Sequence, residues 1–349
     1  MGINAEIQNL AIRHQHYVER YKTYQARQIQ GLLSQAERRV KRKIESYGER
    51  ELVTKAKQQQ LLREIDAINR SAGSRITEET TRELRLFAQS QQRNLARQVR
   101  ESVPVALRDQ YSFTEIGPRK LWAAVTDRPI SMQDGTFLSV DEFIGTFNVR
   151  TTEGVRQAVR QGYLLGETPK EITKRLSDLG IYAGRQARAA TMARTVIAHT
   201  QAETRTSLYG ENSDIVKGYM WVATLDGRTS DTCAELDGKV WFYDSPGESD
   251  LPGDIQPPAH YGCRSTTAPI TKSWQELGLD AGDYPAGARA SADGEVPGKL
   301  TYKEWLDKQP AEIQREVLGP TRYDIMVEEA KPVSYFYDDG GMIPLRDLG

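Results

Sequence analysis

Residues 218–243 read GYMWVATLDGRTSDTCAELDGKVWFY and mark a change in the character of the chain. Two runs rich in aromatic and β-branched residues, 219–224 and 239–243, are typical of β-strands, and turn-forming residues separate them. The next segment, 244–258, is rich in Gly, Pro, Asp and Ser, which indicates a long loop. The sequence therefore predicts a small α+β module near residues 215–300, made of short hairpin strands and a knuckle-like loop.

The sequence before this module is mostly helical. Apolar residues recur in steps of three and four through residues 3–47, which contain no proline and predict a helix about 65 Å long. Residues 51–70 are helical by composition, and we expect Ser-Ala-Gly-Ser at 71–74 to end that helix before a third at 78–102. The predicted fold class is mainly α-helical with long N-terminal helices. Residues 1–116 are expected to form an elongated helical arm whose apolar stripe is covered by an antiparallel hairpin or by self-association.

Three further segments complete the predicted domain organisation. Residues 117–214 are expected to be a connector with short extended pieces followed by a helical domain. One helix start in this segment is marked by Thr168, which precedes a proline and lies three residues before a glutamate. The α+β module follows at 215–300, and a C-terminal helix and tail follow at 301–349. Thr301, with Glu304 three residues later, marks the start of that helix.

The charge is divided along the chain, although the net charge is only −1. Residues 1–130 carry 24 Lys and Arg against 15 Asp and Glu, about +9, and the remainder carries 23 against 33, about −10. The basic half suits nucleic acid or an acidic partner, whereas the run at 38–43, which lacks interleaved aromatic residues, is typical of a solvated face. No apolar run approaches the roughly 20 residues of a membrane span, and no signal peptide is predicted.

Scarce residues with metal-binding chemistry lie in and after the predicted hairpin. Cys233 and Cys263 are the two cysteines of the chain, and His260 is one of its four histidines. The His-x-x-Cys spacing lets both side chains reach one zinc ion from a tight turn. A fourth ligand would come from Asp226, Asp231, His199 or water. Two alternatives stay open: a disulfide that closes a loop of about 30 residues, and two buried thiols beside a hydrogen-bonded histidine.

A wider pattern surrounds these three residues. It consists of Trp221, Asp226, Arg228, Thr229, Cys233, Leu236 and Gly238, followed by Pro257, Pro258, His260, Cys263 and Arg264. In order and spacing, this pattern resembles the phage Mu F-like minor head proteins, also called phage head morphogenesis proteins. The resemblance covers about residues 195–270.

The resemblance implies a pair of zinc knuckles, because many members of the family have Cys-x-x-Cys and Cys-Arg-Cys in these two blocks. This chain has Ser230 and Ser265 in place of two of those thiols, and a serine hydroxyl is a poor zinc ligand at neutral pH. We expect Asp226 and Arg228 to fix the proline-rich loop through charge-assisted hydrogen bonds, with or without metal.

The family also implies a function. It predicts a minor structural protein of a tailed-phage head that associates with the portal protein, other capsid proteins and packaged DNA, and that accompanies DNA at ejection. The corresponding location is the virion, at the head interior or portal vertex, after a stage in the host cytoplasm. No membrane is involved in the assembled head.

Enzymatic motifs are absent from the sequence. It contains no Gly-x-Ser-x-Gly, no phosphate-binding loop and no His-Glu-x-x-His. The alternative enzymatic interpretation is a metal-dependent, nucleic-acid-processing site at 226–264, with His260 as base. A third interpretation is a DNA-binding packaging accessory that acts through the basic arm. We predict that the chain is not an enzyme.

Overall fold

The computed structural model describes most of the chain and confirms a mainly α-helical fold with small antiparallel sheets. The described residues are 5–48, 54–102, 113–131, 137–260, 262–273, 275–277, 288–338 and 341–348. The predicted helix ends at residues 3–4 and 51–53 lie outside them. The described helices are α1 (Ala5–Glu45), α2 (Lys55–Ser102), α3 (Pro118–Asp127), α4 (Val140–Leu164), α5 (Pro169–Asp178), α6 (Ile181–Glu211), α7 (Asp231–Leu236), α8 (Tyr302–Asp307), α9 (Ala311–Leu318) and α10 (Pro320–Glu328). The described strands are β1 (Ile130–Ser131), β2 (Phe137–Leu138), β3 (Val216–Val222), β4 (Val240–Phe242), β5 (Thr266–Thr271), β6 (Ala288–Ser291), β7 (Gly294–Pro297), β8 (Tyr337–Asp338) and β9 (Gly341–Met342).

The chain divides into two compact units, each built from separate segments of sequence. The first unit contains Met1–Glu19, Ala88–Val125 and Ala198–Gly349, and the second contains Arg20–Phe87 and Thr126–Ile197. The four consecutive domains expected from the sequence remain a prediction.

The second unit is helical and has an aliphatic core. Its buried residues come from α1, α2, α4 and α5, and include Val40, Ile44, Leu61, Ile65, Val155, Val159, Ile172 and Leu176. The predicted start of α5 is confirmed: Thr168 donates its backbone N–H to the Glu171 carboxylate at 2.7 Å, and its hydroxyl accepts from the Glu171 N–H at 3.3 Å. This reciprocal cap satisfies two donors that the first helical turn would otherwise leave free.

The helix break expected at residues 71–74 is wrong, because α2 runs through this segment without interruption. Gly73 lies against α4, where the side chain of Asn148 donates to the Gly73 carbonyl oxygen at 3.3 Å. A Cβ atom added at Gly73 would lie 3.3 Å from Asn148 Cγ. The glycine therefore permits close approach of a neighbouring helix and does not end its own.

The first unit contains the three-stranded antiparallel sheet β4-β3-β5, which places the candidate site. Tyr219 and Trp221 of β3 point into a core with residues of α2, α3 and α6. Met220 and Val222 point to the other face of the sheet and belong to a separate buried cluster. Its other members are Ala11 and Ile12 of α1 and Ala268 and Ile270 of β5. Both faces of β3 are covered, which accounts for the continuous apolar run at residues 219–222. The predicted strands near 219–224 and 239–243 are confirmed, and β5 is an addition to them.

A second part of the first unit is formed by the C-terminal segment. Tyr302 and Trp305 of α8 are almost fully buried with Phe336, and Leu225 from the loop after β3 joins the same cluster. Thr301 caps α8, as the sequence predicted, by accepting a hydrogen bond from the backbone N–H of Glu304. The C-terminal residues therefore pack on the module that carries the site.

Candidate functional site

Two short backbone motifs bring the cysteines and the loop histidine together. Ser230 caps α7, its hydroxyl accepting from the Cys233 N–H at 3.3 Å, and so fixes the first turn, which carries that thiol. In the loop before β5, the Cys263 N–H donates to the His260 carbonyl oxygen at 3.2 Å, and Gly262 has a φ of +73°. This tight turn places the imidazole and the second thiol on the same side of the loop.

The ligand atoms of the three residues lie within 4.8 Å of one another. The sulfur of Cys233 is 3.7 Å from the sulfur of Cys263 and 3.2 Å from Nε2 of His260. Both thiols are buried and unoxidised, and His260 is partly exposed. The spatial convergence expected of these residues is therefore present. Their role as metal ligands stays a prediction.

The two serines that replace family thiols also face this cluster. The hydroxyl of Ser230 is 2.8 Å from Nε2 of His260. The hydroxyl of the buried Ser265 hydrogen bonds with the Cys233 sulfur. The four positions expected to carry thiols in many family members therefore surround one point, and two of them supply hydroxyls in this chain.

The hydrogen bond between the two sulfurs separates their pKa values. Donation from the Cys233 thiol is the largest influence on Cys263, and together with His260 it holds the pKa of Cys263 well below its usual value, although burial opposes this. The same hydrogen bond, together with burial, raises the pKa of Cys233. This hydrogen bond and the adjacent imidazole therefore make Cys263 the more acidic of the two thiols.

The cluster has donor types and spacings that fit a tetrahedral zinc ion. Bonds of about 2.3 Å to sulfur and about 2.1 Å to nitrogen would place two sulfurs about 3.8 Å apart, and a sulfur and a nitrogen about 3.6 Å apart. Two of the observed distances, 3.7 Å and 3.2 Å, are close to these spacings, and the third pair, Cys263 and His260, lies within 4.8 Å, so that pair would have to move closer on binding. Cys233, His260 and Cys263 could therefore hold zinc with water as the fourth ligand.

Asp226 forms an ion pair instead of joining this cluster. Arg264 donates through both terminal nitrogens to the two carboxylate oxygens of Asp226, with one distance of 2.7 Å. Burial alone would raise the pKa of Asp226, but the hydrogen bonds and charge of Arg264 outweigh burial and lower it. The backbone N–H of Arg228 also donates to Asp226, at 2.9 Å. Both oxygens are thus held by neighbouring donors that join the β3–α7 loop to the loop before β5.

The other two candidate fourth ligands also lie outside the group of converging ligand atoms. His199 is buried on α6, and its Nε2 is 3.0 Å from the carbonyl oxygen of Val125. Asp231 lies in the first turn of α7, where burial raises its pKa and the charge of Arg322 opposes the rise. Water therefore remains the simplest fourth ligand.

The remaining motif residues act through packing and backbone geometry. Trp221 is fully buried in the core under the sheet. Thr229 donates to the Thr224 carbonyl oxygen, and the side chain of Arg228, 84% exposed, lies 3.9 Å from the Asp226 carboxylate. Gly238 has a φ of +84°, a left-handed conformation that turns the chain from α7 into β4. Pro257 and Pro258 are joined by a cis peptide bond in the loop that carries His260.

A buried ion pair, Asp237–Arg289, was not predicted from the sequence. The two side chains are 0% and 2% exposed and join at 3.0 and 3.1 Å. Asp237 also accepts from the backbone N–H groups of Ala223 and Tyr302, both at 2.7 Å. The position of Asp237, between the motif residues Leu236 and Gly238, was an available signal. Arg289 stands in a short strand with no sequence feature that marks it.

Comparison with known proteins connects this site to one family. Residues 153–268 match the family model described as Phage Mu protein F like protein. A protein of Haemophilus influenzae described as an uncharacterized protein is 27% identical over 191 residues, which are 54% of this chain and 39% of that protein. The match thus spans about two fifths of the relative's length. No solved structure matches the chain.

The matched region contains β3, α7, β4 and the loop that carries His260 and Cys263. Among the described residues, no helix combines the length and apolar character that a membrane crossing requires. The family resemblance expected from the residues around Cys233 and His260 is therefore confirmed: residues 153–268 of this chain match the phage Mu protein F like family.

Proposed function

We propose that this protein is a minor structural component of a tailed-phage head, and that it acts in head assembly in the host cytoplasm and remains in the virion. The observation that supports this proposal is the family match over residues 153–268, which includes the braced loop. Its proposed partners are the portal protein and other capsid proteins. A further part of the proposal is that the chain leaves the head with the DNA at ejection.

The chemistry of the module supports a docking role over catalysis. Asp226 is held by Arg264, and Asp237 is held by Arg289, so each of these carboxylates has both oxygens in hydrogen bonds within the module. A general base or metal ligand needs a lone pair that is free to face substrate or ion. These pairs fix loops to the sheet, which suits a rigid surface for contact with another protein.

The proposal is tested by following the chain through head assembly. In phage that lack the gene, we expect complementation with the wild-type protein to restore complete heads. These heads should contain a few copies of the chain, which should co-purify with the portal protein. Arg264→Gln should reduce incorporation, because it removes the brace at Asp226. Arg346→Gln is the matched control, since its side chain is 84% exposed in the same unit and pairs with Asp347 instead of Asp226.

Three outcomes would contradict the proposed structural role. One is the absence of the chain from purified heads, and another is normal head assembly without its gene. The third is DNA cleavage by purified protein with added divalent metal, abolished by His260→Ala, which would establish the enzymatic alternative. Equal chain content in intact and emptied particles would refute delivery with DNA.

We also propose that Cys233, His260 and Cys263 bind one zinc ion that stabilises the module. The sulfur–sulfur distance of 3.7 Å and the nearby imidazole support this. Elemental analysis of protein refolded with zinc should give about one ion per chain, and Cys263→Ser should lower this content and the melting temperature. Wild-type protein that contains no zinc after this treatment would leave a metal-free, hydrogen-bonded cluster as the correct description.

A further inference from the structure

Between Arg20 and Arg42, one face of α1 is exposed, cationic and free of carboxylates, and the exposed Glu45 follows it at the end of the helix. Ten positions between residues 20 and 42 are exposed, of which five are arginines and none is Asp or Glu. The other five positions are occupied by Thr23, Tyr24, Gln28, Gly31 and Gln35. A solvated helix face in a chain with nearly equal numbers of acidic and basic residues would carry both signs.

Four of these arginines lie along one line of the helix. Arg27, Arg38 and Arg42 follow Arg20 by 7, 18 and 22 residues, which are about 2, 5 and 6 helical turns. The four residues, named here the cationic stripe, extend about 33 Å along the helix axis. Tyr24, 55% exposed, lies beside the stripe between its first two members.

The stripe arginines are not neutralised by neighbouring side chains. Within the described part of the chain, none of the four forms an ion pair. Other cations of the same unit do: Lys41 of α1 pairs with Glu37 at 3.0 Å, and Arg75 and Arg82 of α2 pair with acidic residues of their own helix. Arg42 donates from Nε to the carbonyl oxygen of Arg38 at 3.4 Å, which leaves its two terminal nitrogens for other acceptors. The guanidinium groups of the cationic stripe therefore lack a counter-ion of their own and can bind an external anion.

We propose that the cationic stripe binds the phosphate backbone of double-stranded DNA. A length of about 33 Å matches about ten base pairs, over which phosphates are regularly spaced. An acidic protein partner fits less well, because protein interfaces need buried apolar anchors and Tyr24 is the single aromatic residue on this face. Gln28 and Gln35 add neutral donors that also suit phosphate oxygens.

The binding does not depend on a particular sequence of DNA, since nothing in the stripe reads base edges. We identify the bound DNA as the packaged genome, and this identification rests on the proposed function. The two are separable, because DNA binding is measured on purified protein and the structural role is measured by incorporation into heads.

The test is a salt titration of the full chain against a labelled duplex of about 30 base pairs and mixed sequence. Four phosphate contacts predict a slope of about −3.6 in log affinity against log salt, and a loss of about 150-fold between about 50 and 200 mM salt. Arg20→Gln with Arg27→Gln should halve the slope and reduce this loss to about 12-fold. Glutamine is a good helix former, so α1 should remain folded, which circular dichroism checks.

The matched control is Arg75→Gln with Arg82→Gln, which removes the same charge from ion-paired arginines on α2. Its slope should equal that of the wild type. Equal slopes for the two double variants would assign the binding to net charge and overturn the proposal, and so would the absence of duplex binding at 50 mM salt. Binding of an acidic polypeptide, in place of DNA, at the same low salt would assign the stripe to a protein partner.

Discussion

Replacement of Asp237 by alanine tests the role of the buried ion pair in the module. The carboxylate accepts two hydrogen bonds from Arg289 and two from backbone N–H groups. Removal leaves the guanidinium of Arg289, 2% exposed, without its counter-ion. Breaking a buried pair in this way costs about 3–5 kcal/mol, a large share of the roughly 5–15 kcal/mol that stabilises a typical domain.

Urea denaturation followed by tryptophan fluorescence measures this loss in the correct part of the chain. All five tryptophans fall within the segments of the first unit, so the signal reports the unit that contains Asp237. With a slope of about 2 kcal/mol per molar urea, a loss of 3–5 kcal/mol lowers the midpoint by about 1.5–2.5 M.

A double variant separates the charge effect from the loss of packing. Asp237→Ala with Arg289→Met removes both charges, so we expect it to be more stable than Asp237→Ala alone by about 1–2 kcal/mol. Arg228→Ala, whose side chain is 84% exposed, serves as a neutral control. A change of less than 1 kcal/mol for Asp237→Ala, or a double variant whose loss equals the sum of both single losses, would refute this reasoning.

Three further predictions follow from local geometry. Burial, and then the charge of Arg205, lowers the pKa of His14 to about 4. Because the unfolded state binds more protons than the folded state between about pH 4 and 6.5, the free energy of unfolding should fall by up to about 3 kcal/mol as the pH decreases through this window. Urea titrations of His14→Gln should show a weaker dependence on pH. Gly31→Ala should stabilise α1 by up to about 1 kcal/mol, since an added Cβ meets nothing within 4 Å, whereas Gly73→Ala should stabilise α2 less or destabilise it. Far-ultraviolet circular dichroism during urea unfolding compares the two variants. Equal gains in stability would contradict the close approach of α4 to Gly73. Gly238→Ala should cost about 1–2 kcal/mol by the same fluorescence assay, because L-residues rarely adopt a φ of +84°, and an unchanged midpoint would show that the turn is not strained.

The sequence predicted best where local chemistry decides the structure. The caps at Thr168 and Thr301 form as expected, since a cap depends only on residues within one turn. The strands around Trp221 and Trp241 also form, because aromatic and β-branched runs suit a covered sheet.

The failures involve partners far away in the sequence. Gly73 was interpreted as a helix break because its neighbour Asn148 lies 75 residues away and cannot be seen in a local pattern. The start of α4 at Val140 is the exception, because its reciprocal cap between Ser139 and Glu142 is local and still was not predicted. Helix propensity is weak enough that such contacts decide the outcome.

The candidate site was predictable in composition but not in bonding. The spacing of His260 and Cys263, together with the family pattern, correctly grouped them with Cys233. The partner of Asp226 was not predictable: Arg264 was known as a motif residue, but its pairing with Asp226 requires the fold of two loops. Arg289 is more distant still, 52 residues beyond Asp237, and no periodicity marks it.

The two-sided burial of β3 has a consequence for dissection of the gene. A fragment restricted to residues 153–268 would lack Ala11 and Ile12, which cover one face of the strand, and Leu95 and Leu121, which help cover the other. It would also end before β5 is complete. We therefore expect this excised region to be insoluble when it is expressed by itself. Autonomous folding requires the flanking N-terminal and C-terminal sequence, so the bounds of the matched region do not define a transplantable domain.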